Sequence, residues 1–141
     1  MAAYNKFQDF VEQVLLGKHD FSASGHVFKV YLSNDPPSAS LDAVKADVIE
    51  ISSGNGYPAG GTDIQNALSE TSGTATVTGV DVVWTASGGS VGPFRYVPLY
   101  NDTQTSPNKP LVAWWDYGSA VTLNNGESFT VDFGSSVFTL A

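Results

Sequence analysis

With 141 residues the chain fits a single domain, 1–141, long enough to bury roughly two-thirds of the surface its unfolded form would expose. Fourteen acidic residues against six basic ones leave a net charge of −8, and Arg95 is the one guanidinium; this excludes a phosphate-binding stripe and with it a nucleic-acid partner. Three Trp, six Tyr and eight Phe exclude a disordered tail, and the lack of cysteine excludes disulfides and thiolate metal sites.

Residues 4–16 are predicted to form one short amphipathic helix, because Phe7, Phe10, Val11, Val14 and Leu15 recur at the spacing of a core-facing stripe. Lys6, Asp9, Glu12 and Gln13 fall mostly on the other side, and Gly17 suits the position just past the helix end. The stripe either packs on the chain's own core or docks the helix, as an arm, onto a partner subunit. This opening stretch lacks the apolar run and small-residue cleavage site of a signal peptide. No segment reaches the ~20 apolar residues that span a bilayer, so the expectation is a cytoplasmic product with no membrane partner.

From residue 26 to 141 the pattern is mostly β. Phe28, Val30 and Leu32 alternate with Lys29 and Tyr31, which predicts a half-buried strand over 26–32. Asn34-Asp35-Pro36-Pro37 breaks the chain, and Leu41 to Ile51 fits either a second short helix or a strand. Residues 52–63, with their glycines, read as a flexible surface loop. Strands follow at 74–78, 80–86 and 94–100, where Pro98 cannot donate to a ladder and points to an edge strand or a bulge. Leu111 to Tyr117 is apolar on both faces, which suggests a strand covered on each side or lying in an interface. Asn124-Asn125-Gly126 reads as a hairpin turn between 120–123 and 129–133, and a last strand covers 137–140. The sum is a mainly β fold, an antiparallel β-sandwich or small barrel with a short N-terminal α-helix.

Catalytic chemistry finds little support. His19 and His26 lack the spacing of a zinc-binding helix, and His19-Asp20 reads as a helix-end charge followed by a turn residue. Ser90 lies among glycines without the strand-to-helix elbow that would activate it. Asp35, Asp42, Asp47 and Glu50 do not match a calcium loop and read as solvated surface charges. The expectation is a non-enzyme with no catalytic residues, no metal and no cofactor.

Aromatic residues stand out instead. Tyr96, Tyr100, Trp114, Trp115 and Tyr117 lie on neighbouring strand candidates; such side chains fill cores, anchor interfaces or stack on sugars. Adjacent Trp114 and Trp115 must point to opposite faces of a strand, so one of them needs cover from a helix or another chain. Arg95, Tyr96, Tyr100, Trp114 and Trp115 are the candidate assembly contacts, with Arg95 able to pair with a carboxylate across an interface.

Two stretches, VDVVWTASGGSVGPFRYVPLYND at 80–102 and KPLVAWWDYGSAVTLNNGESFTVDF at 109–133, resemble small virion structural proteins of tailed bacteriophages. The opening YNKFQDFVEQVLLGKHDF and the loop GNGYPAGGTD at 54–63 fit the same pattern. The resemblance implies a head decoration (cement) protein, destined for the virion, that stabilises the shell by binding between subunits of the major capsid protein. It also implies a homotrimer, since such proteins clamp neighbouring capsid subunits at local threefold points. The alternative is a tail-fibre or tail-tip module that binds a receptor or glycan with the same aromatics.

Overall fold

The computed structural model describes residues 2–141. In chain order its elements are β1 (Tyr4–Lys6), α1 (Gln8–Leu15), β2 (Phe28–Val30), β3 (Thr62–Asp63), β4 (Ala67–Thr71) and β5 (Thr74–Thr78). These are followed by β6 (Val82–Thr85), β7 (Val91–Asn101), β8 (Leu111–Leu123), β9 (Ser128–Val131) and β10 (Phe138–Leu140). The long β7–β8 hairpin is the spine of a five-stranded sheet ordered β1-β8-β7-β2-β3. A three-stranded sheet, β10-β5-β4, and the pair β6-β9 complete the structure, and every pairing is antiparallel.

Rings join the sheets. Phe94 of β7 meets Phe129 of β9 edge-on at 4.9 Å, and Trp115 of β8 meets Phe133 at 5.6 Å. Tyr4 of β1 stacks against Phe138 of β10 at 5.8 Å. The result is a mainly β, sandwich-like fold with open edges and no closed barrel. Strand alternation explains part of the core directly: Val82, Trp84 and Ala86 are buried while Val83 and Thr85 face outward.

The helix is shorter than its periodicity predicts. Tyr4–Lys6 is drawn into β1 because the edge of β8 offers a ladder there, with Tyr4 opposite Trp115 and Lys6 opposite Ala113. Phe7 continues this attachment by donating its N–H to Val112 O, and α1 begins only at Gln8. Leu41 to Ile51 forms neither a helix nor a strand of length, only a single 3₁₀ turn at Lys45–Asp47.

Pro98 lies in a central strand, not at an edge. Val30 pairs with Leu99 and Ser33 with Tyr96, so one register runs past Tyr31 and Pro98 without a pairing between those two. Tyr31 N–H still donates to Pro98 O at 3.1 Å, and the missing proline donor falls in the gap of the ladder. The turn after β8 also differs from expectation. Glu127 N–H closes it onto Asn124 O, yet β9 pairs with β6 instead of folding back on β8. Val121 and Leu123 of β8 are already paired with β7, and Phe129 finds its cross-strand partner in Trp84.

The glycine-rich loop is docked, not free. Asn55 O accepts the Ser87 N–H at 2.9 Å, and Asn55 Nδ2 donates to Ser90 O at 3.0 Å. A Cβ at Gly56 would collide with Thr85 O, and one at Gly61 with Val30 O, so both glycines serve close backbone approach.

Glu50 organises this region. Its Oε2 accepts the Tyr57 hydroxyl at 2.7 Å and the Gly60 N–H at 2.8 Å, while Oε1 pairs with Lys45 Nζ at 2.9 Å. Lys45 in turn sits over the Tyr31 and Tyr100 rings, at 4.7 and 5.4 Å from their centroids. Burial pushes the Tyr31, Tyr57 and Tyr100 hydroxyls well above their ordinary range, so all three remain donors. Removing one partner of a largely buried ion pair leaves the other uncompensated. Glu50→Ala is therefore expected to lower the unfolding free energy by about 3 kcal/mol, read from urea denaturation. Ile49→Ala, at an exposed neighbour, is expected to stay within about 0.5 kcal/mol.

Candidate assembly surface

The five expected contact residues divide between core and surface. Tyr100 is buried on β7 and donates its hydroxyl to Gly60 O at 2.7 Å. Trp115 is buried as well, edge-on to Tyr4 at 5.9 Å and packed against Phe133. Trp114, on the other face of β8, is partly buried, and its cover comes from the chain itself: Phe7 lies at 4.7 Å, just ahead of α1. Burial within one chain thus leaves Arg95, Tyr96 and Trp114 as the members of the set that reach the surface.

Arg95 finds its carboxylate within the chain. Its Nε donates to Asp116 Oδ1 at 2.8 Å and its Nη2 to Oδ2 at 3.1 Å, a bidentate pair across the hairpin. This contact holds Asp116 below the usual carboxylate range. Opposite Arg95 the register of β7 and β8 jumps, from Tyr96 paired with Asp116 to Phe94 paired with Val121. Tyr117-Gly118-Ser119-Ala120 is consequently extruded as a bulge on the surface, started by the Gly118 N–H on Asp116 Oδ1 at 2.8 Å. Tyr117 is 57% exposed, edge-on to Phe129, and lines a cavity of about 300 Å³ with Asp116, Thr130 and Asp132.

A larger groove, of about 620 Å³, runs between α1, the loop after it and the sheet β10-β5-β4. Phe10 and Phe21 are buried beside it, whereas its upper walls are apolar and open. Val11 is 46% exposed, Leu15 84%, Leu68 47% and Leu140 59%. Starting at Gln8, the helix turns Phe10 and Gln13 inward and leaves Val11, Leu15 and Leu16 outside. Two of the five residues assigned by periodicity to a core-facing stripe, Val11 and Leu15, therefore lie on the open face instead. Sequence reasoning missed Leu68 and Leu140, because strand and helix residues distant in sequence converge here. The consecutive pair Leu15-Leu16 is the signal that was legible, since both cannot lie on one narrow buried stripe.

The residues considered for catalysis occupy structural positions. His19 packs among Phe10, Phe21 and Phe28, and burial followed by repulsion from His26 lowers its pKa to about 4. It is an inward-facing group, not the helix-end charge that its position suggests. The acidic residues that read as solvated charges instead hold backbone donors. Asp35 accepts from Ile49 N–H, Asp42 from Ser38 N–H, and Asp47 from the N–H groups of Ala43 and Val44. Among the described residues no three His, Asp or Glu side chains gather as a metal site, and no helix is long and apolar enough to cross a membrane. No protein-family model, curated protein or solved structure matches the chain.

The wall of the groove at Leu15 stands open, whereas its floor at Phe10 and Phe21 is buried. Leu15→Ser is expected to leave the urea midpoint unchanged within about 0.5 kcal/mol, whereas Phe10→Ala lowers stability by about 3 kcal/mol or more.

Proposed function

We propose that the chain is a structural protein of a tailed-phage particle, and specifically a head decoration protein that binds between subunits of the major capsid protein, as a homotrimer. It acts by binding and needs no turnover. The observation that carries the reading is the groove beside α1, with Val11, Leu15, Leu68 and Leu140 exposed around one apolar cleft. Contiguous apolar surface of this kind is characteristic of a contact that forms in an assembly. The resemblance of residues 80–102 and 109–133 to phage virion proteins supplies the setting. A partner that fills the groove would gain the free energy of burying this surface only in the assembled shell, which is how a cement protein stabilises a shell.

Immunogold electron microscopy of intact particles tests the location. Label spread over the head is the expected result; label confined to the tail would remove the decoration reading. The surface itself is tested by adding purified protein to particles that lack it. Leu15→Asp is expected to cut retention on heads at least about tenfold with an unchanged melting temperature. Undiminished retention would exclude the groove as the contact.

The bulge at Tyr117 favours a second reading, a tail-tip module that holds glycan. An exposed aromatic ring beside Asp116 and Asp132 offers a stacking face together with acceptors for sugar hydroxyls. That reading predicts binding of the isolated protein to host polysaccharide, lost in Tyr117→Ala and retained in Leu15→Asp.

A further inference from the structure

A fully buried amide joins the two histidines of the chain. Asn101, at the end of β7, accepts the N–H groups of Thr103 at 3.0 Å and Gln104 at 3.1 Å through its Oδ1. Those donors fix the orientation of the amide, so its NH₂ must face the other way. There Nδ2 lies 3.1 Å from His19 Nδ1, 2.9 Å from His26 Nδ1 and 3.3 Å from Lys18 O. Asp20 N–H also approaches His26 Nδ1, at 3.3 Å. Both Nδ1 atoms are thus acceptors, and each neutral ring carries its proton on Nε2. His19 Nε2 is buried without a partner.

We propose that the cluster of Asn101, His19 and His26 is an acid-sensitive latch, which holds the loop from Lys18 to Val27 against β7 and releases it when His19 takes up a second proton. That proton has to enter at Nδ1, where the new N–H would face the Asn101 NH₂, donor against donor. Turning the amide offers no relief, because Nδ2 would then face the Thr103 and Gln104 donors. The loop carries Phe21, stacked on Phe28 at 4.1 Å and set edge-on to Phe138 at 5.2 Å, so its release also takes away one wall of the groove.

The surroundings of His19 favour this direction. Helix α1 faces it with the Phe10 ring, β2 with Phe28, the loop with Phe21 and β7 with the neutral Asn101. The charge that acts on it is that of His26, while Asp20 is the carboxylate that faces His26. Lys6 of β1 and Asp20 are the charged groups of the shared groove, and Lys18 contributes its carbonyl. With the pKa of His19 held at about 4, against 6.5 for an ordinary histidine, the folded form gives up a proton that the unfolded chain keeps. The stability contributed by neutral His19 is therefore full above the ordinary value, falls progressively as pH drops below it, and is fully lost by about 4. The latch does not rest on the assembly role proposed above, although its release would alter the same groove.

Hydrogen exchange on the full chain, expressed as protection factors between about pH 7.5 and about pH 5, tests it. Peptides covering residues 18–27 and 101–104 are expected to lose protection by about tenfold per pH unit below the ordinary histidine value, while β8 holds. Flat protection in those peptides, or an equal fall across the whole chain, would overturn the proposal. The double variant His19→Asn, His26→Asn keeps an acceptor oxygen near each Nδ1 position and cannot titrate, so its profile is expected to be flat. Asn101→Asp gives a protonated imidazole an acceptor and is expected to reverse the sign, with protection rising on acidification. A wild-type profile in either variant would sink the latch, and the histidine pair keeps the test open if Asn101→Asp does not fold.

Discussion

The Glu50 carboxylate, largely removed from water and shared between Lys45, Tyr57 and Gly60, is the contact on which the long excursion between β2 and β3 depends. That excursion has little secondary structure, so its backbone groups cannot satisfy one another in a ladder. Side chains do so instead. Tyr57 accepts the Leu32 N–H at 3.0 Å while donating to Glu50, and Tyr31 donates to Val48 O at 2.9 Å. The Lys45 ammonium above two tyrosine rings completes a polar unit with every member partnered, the condition under which buried polar groups specify a structure instead of weakening it.

Around this unit the hairpin β7–β8 sets the geometry of both exposed features. Its inner half carries the buried Val97, Leu99, Tyr100, Val112 and Ala113, and slips by one residue at Val112, between the pairs Leu99–Ala113 and Tyr100–Leu111. Its outer half loses register, because Arg95 and Asp116 pair across the strands and push Tyr117 to Ala120 out of the ladder. On the opposite edge β8 recruits Tyr4–Lys6, and this recruitment delays the helix and turns part of its apolar stripe toward the groove. The candidate surface beside α1 and the bulge beside Tyr117 are thus two consequences of how one strand is paired.

The β class and several strands were legible because period-two alternation is a local property, as in Val82, Trp84 and Ala86. Choices between alternative neighbours were not. Asn124-Asn125-Gly126 specifies a tight turn, but nothing within it says whether the strands on either side meet each other or belong to different sheets. Pro98 announces a missing donor, and only the arrangement of β2 shows that a gap awaits it in a central strand. Tyr100 and Trp115 carry the same chemistry in a core as in an interface, so their composition could not assign them. Leu15 and Leu140, more than a hundred residues apart, form one surface that no window of sequence contains.

The carboxylates that close the turns have a consequence for the electrostatics of the whole molecule. Outside α1, every Asp and Glu except the doubly ion-paired Asp102 accepts a backbone N–H, from Asp20 on Ser22 to Asp132 on Gly134. The acidity of this chain is thus largely a by-product of fastening a fold rich in irregular connections, each fastener bringing a unit of negative charge. Its surface potential is not free to drift independently of its architecture. A lineage under pressure to become less acidic would have to re-tie its loops one at a time, with amides or hydroxyls taking over as acceptors, before its charge could change.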